Sequence, residues 1–158
     1  MNAGRVVVVA IVLTALLGGA FLWYSAERAY YEPVAFTPGA EIRLVPLVGG
    51  QPEPIVVAGV QGIDAKTSPI KFRACFTTPL SLAMLTETYQ MYDAAEPLIA
   101  PSSFECFDAE AISRALQAGE ALAFLSEPGI HKGVVRVVAV FPDGRAFAWH
   151  QLNATFKD

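Results

Sequence analysis

The chain is poor in the side chains that carry most protein chemistry. It has two histidines and two cysteines. It contains no Cys-x-x-Cys, no Cys-x-x-Cys-His, no Gly-x-Ser-x-Gly and no Ser-x-x-Lys with partners around it. The local signatures of thiol exchange, covalent haem attachment and hydrolase nucleophiles are therefore missing. Gly49-Gly50 comes nearest to a phosphate-cradling loop but lacks the rest of that pattern, and it reads better as a turn. Cations are also scarce, 11 Lys and Arg against 15 Asp and Glu. A nucleic-acid binder needs a basic patch, and none is visible. No block of like charge marks an interaction tail. No segment repeats, and none is low-complexity.

What the chain does have is one long uncharged run, Val6 to Tyr24. As a helix it spans roughly 28 Å, close to the ~30 Å hydrocarbon thickness of a bilayer. No face of the run is polar, which argues against a helix on a soluble core. The expected layout is a short N-terminus at 1–5, a transmembrane helix at 6–24, a juxtamembrane linker at 25–40 and one domain at 41–158. A domain of that size is long enough for one core and too short for two. The lipid bilayer is thus the first partner the sequence implies.

Arg5 and the amino terminus precede the run with no acid among them, while Trp23, Tyr24, Tyr30 and Tyr31 gather at its far end. The positive-inside bias and the interfacial preference of aromatic rings favour a cytoplasmic N-terminus. The domain is then periplasmic and the anchor sits in a bacterial inner membrane. The rival is a cleaved signal peptide, for which Gly18 and Ala20 supply small residues. Its apolar core would exceed the usual length of about 7–15 residues. Both readings export the domain.

Within the run, Ala10, Thr14 and Gly18 fall four apart, with Ala15 and Gly19 alongside. That is a groove of small residues against which a second membrane helix could pack. Such residues are also frequent in membrane helices generally. The expected second partner is a membrane protein engaged through this groove.

In an oxidising compartment Cys75 and Cys106 are expected to form a disulfide, closing a loop worth roughly 3–4 kcal/mol in chain entropy. The alternative is two free thiols. A reactive thiol wants a nearby cation, and Arg73 stands two residues before Cys75. At this point both readings stay open.

Along the domain, 41–48 alternates like a half-buried strand until Pro46, and 55–60 reads as a second short strand. Residues 70–76 alternate cleanly, placing Ile70, Phe72, Ala74 and Phe76 on one face and Lys71, Arg73 and Cys75 on the other. The period then changes. Thr78 before Pro79 predicts a helix over 79–92, carrying Leu82, Leu85, Tyr89 and Tyr92 on one stripe. Asp108 and Gly119 bracket a second helix over 109–118. Strands follow at 121–125, 133–141 and 145–152, with turns at Glu127-Pro128-Gly129 and Pro142-Asp143-Gly144. This order predicts an α+β fold: an N-terminal transmembrane helix, then a small domain with a largely antiparallel sheet and two helices on one face.

Four stretches carry a resemblance: Ser68 to Ala100, Phe104 to Ile112, Ala121 to Glu127, and Arg136 to Asn153. Through them the chain resembles a family of alphaproteobacterial single-pass membrane proteins, a domain of unknown function. The likeness is expected to cover both anchor and domain. It implies an anchor, an exported domain and a cysteine pair in the same places, and it supplies no activity, cofactor or catalytic residue.

The remaining candidates are few. A zinc site commonly takes four His, Cys or carboxylate ligands. With the cysteines bridged only His131 and His150 remain, so no metal and no cofactor is expected. His131 lies in a Gly-Ile-His-Lys-Gly turn, and sheet alternation should send one of Trp149 and His150 inward. A Cys-His enzyme would need one cysteine beside His150. Thr77 and Thr78 could bind a small anion at a helix start or, more simply, cap it. The sequence thus favours a binding or accessory protein of a larger membrane complex. A periplasmic thiol or Cys-His enzyme is the second reading, and a ligand-sensing domain the third.

Overall fold

A computed structural model of the chain describes residues 2–154. Met1 and the last four residues of the expected 41–158 domain lie outside them. Helix α1 spans Ala3–Glu27 and buries no residue. The linker segment is more structured than its composition suggests. Glu32–Pro33 forms strand β1, and Val34 and Phe36 pack against the domain core.

The domain is built on a six-stranded antiparallel sheet. After β1 come β2 (Arg43–Leu44), β3 (Glu53–Pro54), β4 (Ala58–Asp64) and β5 (Arg73–Thr77). Helices α2 (Leu82–Thr88) and α3 (Ala109–Ala118) follow, then β6 (Leu122–His131), β7 (Val134–Val140) and β8 (Arg145–Leu152). The main sheet runs β1-β4-β5-β8-β7-β6, while β2 and β3 pair separately as a two-stranded flap. The α+β class, the largely antiparallel sheet and the two helices are as the sequence leads one to expect.

The helices, however, do not share a face. Phe72, Ala74, Phe76, Phe124, Val138 and Ala148 look to one side, where Ile42, Leu44 and Ile55 of the flap region and Leu85 of α2 cover them. Val135, Val137, Ala139 and Trp149 look to the other, where Phe107, just before α3, and Ile112 of α3 cover them. The strands between are apolar on both sides, so each face needs its own cover. This is why 133–141 is apolar at nearly every position, Arg136 apart, and does not alternate. It is also why Trp149 and His150 are both buried, although only one was expected to point inward.

Two boundaries also moved. The helix expected over 79–92 is only Leu82–Thr88, and its cap is Ser81, whose hydroxyl accepts the Met84 N–H. Tyr89 and Met91 leave the helix to bridge Pro46 and Phe124. A seven-residue helix has little stability of its own. Burial of Leu85, worth about 2 kcal/mol, and a cap worth about 1 kcal/mol hold it in place. The turn expected at Glu127-Pro128-Gly129 is instead part of β6, which irregular pairing with β7 lets continue to His131. Pro128 is tolerated because β6 is the outermost strand of the sheet and the bonds along its outer edge, from Tyr92 N–H to Ala123, from Leu125 N–H to Gln90 and from Val45 N–H to Leu125, end before it. Helix α3 matches its expected bounds: Asp108 accepts the Ala111 N–H, and Gly119 closes it in the left-handed conformation.

Gly144 in the β7–β8 turn has φ +88°, and a Cβ there would lie 2.7 Å from the Thr78 carbonyl oxygen. The Thr78 N–H in turn donates to the Gly144 carbonyl. Neither backbone can yield. Gly144→Ala should lower stability by about 1–3 kcal/mol, read as a reduced denaturant midpoint.

Candidate functional site

The small residues of α1 are all uncovered. Thr14 spends its hydroxyl on the Ala10 carbonyl at 2.9 Å, leaving its methyl on the surface. Gly18 and Gly19 have nothing within 4 Å of where a Cβ would be. Helical geometry places Ala10, Thr14 and Gly18 on one face. The helix is long and apolar enough to cross a membrane. Its last turn is fastened to the domain, since the Glu27 carboxylate accepts the Ser102 N–H and hydroxyl, each at 2.7 Å.

Cys75 and Cys106 form a disulfide between β5 and the segment that leads into α3. Cys75 packs on the α3-side core, with Phe147 as its cross-strand partner on β8. Arg73, two residues earlier, shares that face but is no activating cation. It is 3% exposed, and its guanidinium donates to the carbonyls of Ile70, Phe72, Leu98 and Ile99. Burial pushes its pKa down to about 10, so it stays charged at neutral pH. It serves as a clamp on the loop that follows Tyr92.

His150 lies on the opposite face. Its Nδ1 is 2.8 Å from the Pro69 carbonyl, and its Nε2 accepts from Arg136 Nε at 3.0 Å. That pair of bonds defines a neutral imidazole with the proton on Nδ1. The ring stacks on Phe72, and the Arg136 guanidinium sits 4.2 Å from the other ring's centre. Burial first, and then the Arg136 charge, push the His150 pKa down to about 3. Cross-strand register sets Arg136 opposite His150 on β8 and Glu127 on β6. Beyond this row opens a cleft of about 630 Å³ lined by Glu32, Asp64, Lys66, Pro69, His131 and Lys132. His131 is exposed there, as its turn suggested. The Lys66–Glu32 pair across the cleft is 3.2 Å long and open to water, so it adds little.

This arrangement leaves no place for Cys-His chemistry. Both sulfurs are bonded to one another, and the sheet separates Cys75 from His150. Among the described residues no three His, Cys, Asp or Glu side chains are grouped to hold a metal ion. Thr77 and Thr78 form no helix-start anion site. Their hydroxyls donate to the Ala58 and Val56 carbonyls, and the Thr78 oxygen also accepts the Leu80 N–H. Arg136 and Gln151 are the residues that sequence reasoning missed, and Arg73 it noticed only as a neighbour of Cys75, because nothing in the pattern distinguishes a buried cation or amide from a solvated one.

The fold and its polar fastenings define a small α+β domain carried behind an apolar N-terminal helix. The chain belongs to a family of unknown function, DUF6446, whose model matches residues 42–158. The match starts after α1, so it covers the domain and not the helix, less than the resemblance led one to expect. No curated protein and no solved structure matches the chain.

Two outcomes follow from the site. Because His150 is neutral when folded and protonates at its ordinary value near 6.5 when unfolded, the unfolded chain binds more protons between pH 6.5 and about 3. Folding should weaken as pH falls through that window. His150→Phe should start about 1–3 kcal/mol less stable at pH 7, having orphaned two partners, yet show a flatter acid profile in pH-dependent denaturation. Reducing the disulfide, whose cysteines are 31 residues apart in sequence, should cost about 4 kcal/mol, measured as the denaturant shift with and without reductant.

Proposed function

We propose that this chain is a membrane-anchored binding protein, an accessory or assembly partner of a larger inner-membrane complex. In this reading α1 is an uncleaved single-pass anchor, the N-terminus is cytoplasmic and the domain is periplasmic. The partner is a membrane protein that packs along Ala10, Thr14, Ala15, Gly18 and Gly19. The observation that carries the reading is the uncovered seam itself. Close backbone approach across small side chains is a main source of helix–helix affinity in lipid. The disulfide fits an oxidising compartment. On the domain Leu47 and Met84 are exposed apolar side chains, and each is linked to Thr88 through a backbone atom of its own; both are available to the same partner.

The seam is directly testable because none of the described residues packs on Gly18 or Gly19. Gly18→Leu with Gly19→Leu should leave the domain's stability unchanged, since neither glycine has a neighbour to displace. In mild detergent extracts the wild-type protein should migrate well above one chain plus its micelle. The double variant should need about tenfold higher concentration to assemble, equivalent to about 1.4 kcal/mol. An unchanged profile would remove the seam from the proposal. A C-terminal reporter active only in the cytosol would overturn the topology.

A further inference from the structure

We propose that the loop between Tyr92 and Asp108 is a bilayer-contacting element, which the end of α1 positions so that Ile99 enters the headgroup layer on the domain's side. The inference rests on reading α1 as an anchor, and adds a second, peripheral contact between the domain and a phospholipid surface. Ile99 is 85% exposed, among the most exposed large apolar side chains of the domain. It belongs to a loop with an unusual tether: Ser102 binds the Glu27 carboxylate through both its N–H and its hydroxyl.

That tether fixes the height of the loop. Glu27 is three residues beyond Tyr24, a helical rise of only about 4.5 Å past the apolar run. The polar layer on each side of a bilayer is roughly 5–8 Å thick, so the Glu27 carboxylate and Ser102 both fall within or beside it. Ile99 is three residues from Ser102, at most about 11 Å of chain. The tip is also held rigid. Arg73 grips the Leu98 carbonyl at 2.8 Å and the Ile99 carbonyl at 3.0 Å, and Pro97 and Pro101 flank them. A tip already ordered loses little freedom on contact, which favours binding. Nearby, the Lys71 ammonium lies 5.8 and 5.3 Å from the ring centres of Tyr30 and Tyr31. Tyrosine rings and lysine together are the composition of a membrane–water interface.

The test uses the full-length chain in vesicles of zwitterionic and anionic phospholipid, with lipids brominated near the headgroup as quenchers. Wild-type protein reports on the anchor through Trp23. Trp23→Phe combined with Ile99→Trp reports on the loop, and Trp23→Phe with Val48→Trp is the control at a 90% exposed position on the flap side. Trp149, fully buried, should stay shielded from aqueous acrylamide in every variant, which verifies folding. The expected result is lipid quenching and blue-shifted emission for Ile99→Trp, with Val48→Trp quenched only from water. Adding Glu27→Ala should reduce the lipid quenching of Ile99→Trp. If Ile99→Trp instead behaves like Val48→Trp while Trp23 is quenched by lipid, the loop inference falls and the anchor stands. If Trp23 itself escapes the bromines, the anchor reading fails and takes the loop with it. Lipid quenching of Val48→Trp, or no response to Glu27→Ala, would also overturn the positioning described here.

Discussion

Both faces of the central strands are covered, and most other features of the domain answer to that constraint. Away from strand ends such as Thr77, Arg145 and Leu152, most side chains on β5, β7 and β8 have little route to water on either side, so a polar one among them must find its partners inside. An orphaned buried donor or acceptor costs about 1–3 kcal/mol. The polar residues meet this by fastening the covering layers. Gln151 accepts the Trp149 indole N–H and the Glu96 N–H and donates to the Ala94 carbonyl. Arg73 holds Leu98 and Ile99, and His150 holds Pro69. On the flap side Ser126 donates to the Arg43 carbonyl, Thr78 to Val56 and Gln90 to Pro46. Among the described residues Tyr92 is the exception, its buried hydroxyl lacking a partner. Irregular loops can cover a sheet only if their carbonyls are satisfied, and here the sheet's own polar side chains satisfy them.

The same constraint separates what the sequence made legible from what it hid. Helix α3 was readable because its signals are local: a cap at Asp108, a stripe through Ile112 and a stop at Gly119. The alternation of 70–76 was readable because each face carries a consistent residue type. The length of α2 was not, because Tyr89 and Tyr92 continue a helical stripe while the chain has already left the helix, with Tyr89 bridging Pro46 and Met91 bridging Phe124. Nor was the division of the helices between two faces, since an apolar stripe does not say which side of a sheet receives it. The roles of Arg73 and His150 were hidden for the same reason. An arginine in an alternating strand looks solvated until a loop from elsewhere in the chain closes over it.

These placements bear on function by using up the reactive groups. The imidazole that might act as a base has both nitrogens bonded and a pKa driven down to about 3. Such a group neither accepts a proton near neutral pH nor reaches the sulfurs across the sheet. The arginine that might lower a thiol's pKa binds carbonyls instead. A strongly perturbed group in a cleft is a sound pointer to catalysis in general, but structural networks perturb groups too. Here the bonding partners identify the second case. The free surfaces include apolar ones, among them the seam of α1, Leu47, Met84 and Ile99, beside the polar cleft at Lys66 and His131.

The loop between Tyr92 and Asp108 links these surfaces mechanically. It is tied to Gln151 through Ala94 and Glu96, to Arg73 through Leu98 and Ile99, to the helix through Ser102, and to β5 through Cys106. Three of these ties run to the sheet and one to α1, so the loop braces the domain on its helix alongside the direct connection through β1, which pairs with β4. The sheet-side ties differ in kind. One is covalent and opens only to a reductant, while the guanidinium and amide clamps persist without it. A redox change would therefore free the Cys106 end and leave the Ile99 end in place. Ser102, which holds the helix, stands between these two ties, so with the bridge open Arg73 is the sheet-side tie that remains on the Ile99 side of it.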